Sequence, residues 1–206
     1  MSEVLAMFPL GTVLFPHGYL PLHVFEDRYR RLTHDCLAGD RRFGVVLIDR
    51  GHEVGGGDHR TDLGTVAEIV QAQEAPDGRW ALACVGRSRL RVVEWLEEAP
   101  YPRATVEILD EAPWPPDAGD ALAVAERTVR RSLALRAELD EPTPPIDVPV
   151  GPDPDVAAWQ LASLAPLGPL DRQRLLAVDD PTERLRVLAA LTDEECTVLA
   201  QRLAGF

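Results

Sequence analysis

Apolar and polar residues alternate along the first half of the chain with the period of a strand. In the second half they recur with the period of a helix. Leu20, Leu22 and Val24 alternate with Pro21, His23 and Phe25, predicting a strand with one face inward. Pro16-His17-Gly18 ahead of it is turn chemistry, with proline presetting φ and glycine relaxing the exit. Pro9 and Pro21 cannot donate to a ladder and belong at strand ends, edges or bulges. Glu26 and Asp27 then open a helix, where carboxylates suit the positive end of the dipole. Tyr29, Leu32 and Cys36 follow at helical spacing and Gly39 stops it.

Phe43 to Ile48 is a short apolar run of buried-strand type. A polar, glycine-rich loop from Arg50 to Asp62 separates it from an alternating run, Gly64 to Ala72. Pro76-Asp77-Gly78 is a turn, and Arg79 to Val85 returns as the partner strand. Arg89 to Leu96 and Arg103 to Leu109 supply two more strands. Six or so short strands with one interrupting helix predict a small, partly closed barrel, which leaves few exposed edges.

Pro113-Trp114-Pro115-Pro116 marks the change of period. Leu122, Ala125, Val129 and Leu133 share one face of a long helix, with Glu126 and Arg130 paired at i,i+4. Glu141 to Pro154 holds six prolines and reads as a semi-rigid connector. Asp153-Pro154 is an N-cap followed by proline at N1, opening a helix through Val156, Trp159 and Leu164. Asp180-Pro181-Thr182-Glu183 repeats the device and leads into Leu185 and Leu188. Thr192-Asp193-Glu194-Glu195 is expected to cap a last helix through Leu199 and Leu203.

Composition narrows the chemistry. The chain has 206 residues, suiting one large domain or two small ones, and 46% of them are hydrophobic, enough for a real core. No apolar run approaches the ~18 residues of a membrane span, and Met1-Ser2-Glu3-Val4 has no basic n-region, so neither a membrane partner nor secretion is expected. Cys36, Cys84 and Cys196 are far apart without CxxC spacing, as in reduced cytoplasmic proteins. A net charge of −13 argues against nucleic acid, whose binding depends on cationic faces. All 21 basic residues are arginine; the chain has neither lysine nor asparagine, which points to a GC-rich bacterial genome. Without lysine there is no P-loop lysine, Schiff base or Ser–Lys dyad.

The remaining candidate constellations favour structure over catalysis. His52, Glu53, Asp58 and His59 carry metal-ligand chemistry but lack diagnostic spacing, so a polar turn is the simpler reading. His34 and Cys36 sit two apart on a helix and point away from each other. Gly86-Arg87-Ser88-Arg89-Leu90 misses the nucleophile elbow at its last position. Trp80, Trp95, Trp114 and Trp159 read as core or junction anchors. No catalytic, cofactor-binding or metal-binding residue is assigned.

Several runs together resemble one family. These are Phe8-Pro9-Leu10-Gly11-Thr12-Val13-Leu14-Phe15-Pro16, continuing through Phe25-Glu26-Asp27-Arg28-Tyr29; Leu63-Gly64-Thr65-Val66-Ala67-Glu68; Val85-Gly86-Arg87-Ser88-Arg89; Tyr101-Pro102-Arg103-Ala104; and Pro169 to Leu176. Their order and spacing resemble the N-terminal, substrate-binding domain of Lon proteases. The resemblance implies an α+β fold: a PUA-like, partly closed β-barrel with one inserted helix over residues 1–112, then a helical bundle over 117–206. It implies a non-catalytic protein- or peptide-binding module that stands apart from Lon's ATPase and protease domains. Unfolded or apolar protein segments, or a protease or chaperone component, are the expected partners. A small-molecule or RNA binder of the PUA-like type is the alternative. A peptide groove is expected beside Phe15, Tyr19, Glu26, Arg28 and Tyr29. The rival account is that these residues only hold barrel and helix together. ATP should leave the thermal midpoint unchanged; a rise that saturates with nucleotide refutes this, because binding to the native state must stabilise it.

Overall fold

Residues 2–50, 59–116 and 118–205 are described in a computed structural model. Two compact units follow one another, Met1–Glu111 and Ala112–Phe206. The first holds six strands, β1 (Ser2–Leu10), β2 (Tyr19–Val24), β3 (Arg42–Arg50), β4 (His59–Glu74), β5 (Trp80–Trp95) and β6 (Arg103–Ile108), with helix α1 (Asp27–Ala38) between β2 and β3. The sheet order is β2-β5-β4-β3-β1-β6, and β5 pairs with β6 as well. Five strands thus form a closed ring of pairings, and β2 lies outside it, paired among the described residues with β5 alone. Within the ring β1 and β3 run parallel, with Phe8 opposite Val45; the other neighbours are antiparallel.

Alternation explains the burial. Leu20, Leu22 and Val24 of β2 are buried while Tyr19, Pro21 and His23 are exposed. The buried set joins Phe8, Tyr29, Leu32, Phe43 and Trp80 in one apolar cluster. Phe8 stacks on Tyr29 with centroids 4.0 Å apart. Tyr29, Leu32 and Cys36 are the buried stripe of α1, and Gly39 is its C-cap. Leu5, Met7, Val46, Val66, Leu90 and Val106 form a second cluster.

The second unit contains α2 (Ala118–Glu138), α3 (Pro154–Leu164), α4 (Pro169–Leu176) and α5 (Pro181–Leu203). Asp153 caps α3, accepting from the N–H groups of Asp155 and Val156; Asp180 caps α5, accepting from Glu183. Each cap is followed by proline, as its sequence predicts. Arg130 pairs with Glu126 at 2.8 Å along α2. Helices α2 and α5 pack together.

Two expectations are corrected, and one strand is added. The segments Arg79–Val85 and Arg89–Leu96 are not two strands: β5 runs unbroken from Trp80 to Trp95 through Gly86. Gly86 marks a close approach, since a Cβ there would collide with the Phe15 carbonyl oxygen. Strand β1, with proline near its end and few β-formers, gives little sequence signal and is stabilised by strands distant in sequence. Thr192 caps nothing: it is buried inside α5, which continues past it because no proline or glycine interrupts the turn. His52, Glu53 and Asp58 lie outside the described residues; His59 pairs with Asp49 at 2.6 Å.

Gly86→Ala should destabilise the protein by about 3 kcal/mol, since backbone rather than a flexible side chain blocks the added methyl. Gly119→Ala in α2, where no atom lies within 4 Å, should be neutral or stabilise by up to about 1 kcal/mol. Urea denaturation of the pair checks both.

Burial pushes the Cys36 and Cys84 thiols up from 9.0 to about 12. The folded state therefore favours their protonated forms. That contribution is complete below pH 9.0, the value in an unfolded chain, and is lost as pH rises through about 12. Urea midpoints should fall as pH rises above this lower bound, and the double variant Cys36→Ala/Cys84→Ala should lose less over the same range.

Candidate functional site

The segment before β2 is fixed by short-range geometry. The Thr65 hydroxyl, buried, donates to the Leu14 carbonyl at 2.6 Å. His17 takes a left-handed φ of 58°, and Gly18 N–H returns to the Phe15 carbonyl at 3.0 Å. Gly86 N–H donates to Gly18 O, and Gly86 O accepts from His17 N–H, both at 2.9 Å. Phe15 itself is buried. The turn therefore delivers β2 onto β5 in one register, Tyr19 opposite Val85 and His23 opposite Ala81.

Two uncharged rows cross the outer face of this region. Pro21 pairs with Ala83, which pairs with Gln71; His23 pairs with Ala81, which pairs with Gln73. Tyr19, 66% exposed, and Phe25, 57% exposed, stand at the two ends of β2. A hollow of about 240 Å³ lies over the first row, touching Tyr19. A larger one of about 420 Å³ reaches from His23 and Phe25 to Pro76 and Trp80, with Glu74 and Arg79 on its border. On the other side of β2 a crevice of about 190 Å³ runs past Pro21 to Glu26, with Phe8, Leu10 and Tyr29 beneath.

The signature residues occupy different surroundings. Tyr19 borders the outer hollow, while Glu26 and Tyr29 border the crevice. Arg28 is engaged: it bonds Glu26 at 3.1 Å, approaches Glu98 at 4.0 Å and lies 4.6 Å from the Tyr29 ring centre. Arg60 completes this border, 2.6 Å from Glu98 and stacked over Trp95. Such half-exposed pairs are worth little individually and serve mainly to orient side chains. Sequence reasoning missed Gln71, Gln73, Ala81 and Ala83, whose place on this face follows only from long-range register. The alternation of β2 was the available signal for Pro21 and His23.

The candidate catalytic groups stay apart. Ser88 lies within β5, away from any strand-to-helix turn. The Cys36 thiol donates to the Arg42 carbonyl at 3.3 Å, while His34 sits edge-on to Trp80. Among the described residues no group of three or more His, Cys, Asp or Glu side chains could hold a metal ion. No described helix is long and apolar enough to cross a membrane.

Residues 4–193 match the family described as the ATP-dependent protease La (LON) substrate-binding domain. The Lon protease of Trichlorobacter lovleyi is 31% identical over 97% of this chain, which spans only 25% of that protein's length. A Lon N-terminal domain protein from Xanthomonas campestris, solved by crystallography, superposes with a TM-score of 0.64 at 30% identity, covering 91% of this chain and 98% of that one. The N-terminal domain of Lon protease from Mycobacterium avium complex superposes with a TM-score of 0.66 at 20% identity, covering 93% and 98%. The latter two share with this chain an α+β fold of a largely stranded sheet and helices. On its sequence match and its fold, this chain belongs to the Lon substrate-binding domain family.

Proposed function

We propose that this chain is a non-catalytic module that binds unfolded or apolar polypeptide segments. The observation that carries the reading is the pair of uncharged rows across β2, β5 and β4, flanked by exposed Tyr19 and Phe25, on a protein of net charge −13. Exposed apolar patches with polar surroundings are the usual physical basis for holding protein segments. Tyr19, Glu26 and Tyr29 line the hollows; Phe15 and Arg28 support them from behind by fixing the turn and the start of α1. The ring of pairings is taken as the PUA-like barrel, and the helices of the second unit as the bundle. The module works in the cytoplasm without ATPase or protease chemistry of its own, presenting captured segments to a protease or chaperone partner. The family assignment lends no support to the small-molecule or RNA alternative.

Reduced, alkylated lysozyme, permanently unfolded, should bind in fluorescence anisotropy, and native lysozyme of the same sequence should not. Tyr19→Ser and Phe25→Ser should each weaken binding by about tenfold, roughly 1.4 kcal/mol. Both side chains are exposed, so the melting temperature should hold. Equal binding of native and unfolded lysozyme, or wild-type affinity in both variants, would sink the reading.

A further inference from the structure

Strand β2 has a ladder on one side only. It pairs with β5, and among the described residues no strand pairs with its other edge. The phase of its hydrogen bonds follows from Gly86, which exchanges bonds with the His17–Gly18 turn. Residues of β5 two, four and six positions before Gly86 therefore turn their amide groups toward β2, as Cys84, Leu82 and Trp80, and meet Leu20, Leu22 and Val24. Tyr19, Pro21 and His23 turn theirs the opposite way. The free edge thus offers the N–H and C=O of Tyr19, the C=O of Pro21, and the N–H and C=O of His23. Proline is tolerated there because its missing N–H faces outward.

The crevice beside that edge is lined by Pro21 to Glu26. Its other lining residues come from β1 and α1 and none from β5, so it lies on the side of β2 away from the ladder. Its floor is Phe8, Leu10 and the Tyr29 ring.

We propose that the bound segment adds to β2 as an extended strand, its main chain bonded to Tyr19, Pro21 and His23 and every second side chain, apolar, set against Phe8, Leu10 and Tyr29. This rests on the peptide-binding reading above and specifies its mode and substrate class: extended segments with apolar residues at alternate positions. Six residues of strand span roughly 20 Å, enough for a peptide of about six residues. A second copy of this chain is the poorer occupant. Antiparallel pairing of β2 with itself puts Pro21 into the ladder of both strands, where each lacks a donor.

The test uses a fluorescent heptapeptide of alternating leucine and threonine, capped at both ends, with N-methyl groups on either of its two alternating sets of amides. An added strand turns only one set toward β2. Methylating that set should weaken binding at least about tenfold, and methylating the other should leave it nearly unchanged. His23→Pro, which removes an outward N–H, should weaken the parent peptide while His23→Ala does not, with melting temperatures recorded for both; if the proline variant fails to fold, the methylation series decides alone. Equal affinity of parent and both methylated peptides overturns the added strand but leaves the peptide-binding module standing. Binding of unfolded lysozyme without the heptapeptide does the same. Failure of both ligands removes the module as well. Dimerisation through β2 that excludes the heptapeptide would assign the edge to a second copy and overturn the proposal.

Discussion

The Phe15 carbonyl rests against the bare Cα of Gly86, and the position of β2 depends on that approach. A side chain at Gly86 would push the turn away, because the obstructing atom is main-chain oxygen. With glycine there, the Gly86 amide and carbonyl both reach the turn, and Thr65 holds the turn from β4. Everything on the outer face inherits its register from this contact. Tyr19 stands where it does because Gly18 is bonded to Gly86.

Arginine holds charge where the protein is driest. Arg89, 1% exposed, bonds Glu111 at 2.7 Å inside the first unit. Arg184, 2% exposed, donates to the Val178 and Asp179 carbonyls within the second, with its guanidinium 3.8 Å from the Trp159 ring centre. A planar, weakly hydrated guanidinium can stack and bond at once, which a compact ammonium cannot. The absence of lysine is therefore no handicap to either interior.

Much of the fold was legible where order is local. The α1 stripe of Tyr29, Leu32 and Cys36, the Asp153 and Asp180 caps and the alternation of β2 all follow from neighbours a few residues away. Failures came where distant chain decides. Gly86 looks like a break until the Phe15 carbonyl is placed beside it. Strand β1 looks weak until β3 and β6 flank it. Thr192 looks like a cap until the helix interior closes over it. The candidate site divides in the same way. Its inward and outward residues on β2 could be assigned from period, but that β2 is an edge, and that Gln71 and Ala83 share its outer face, are facts of pairing between segments some fifty and more residues apart.

An open edge need not be a loose one. Leu20, Leu22 and Val24 sink the back of β2 into the main apolar cluster, so its outward amides are held in line before anything meets them. The ordering entropy of any pairing there falls on the visitor alone. A chain already folded has committed its own extended stretches to its own sheets and has none to lend. A surface of this kind can therefore sort proteins by conformational availability, with little regard to their particular sequences.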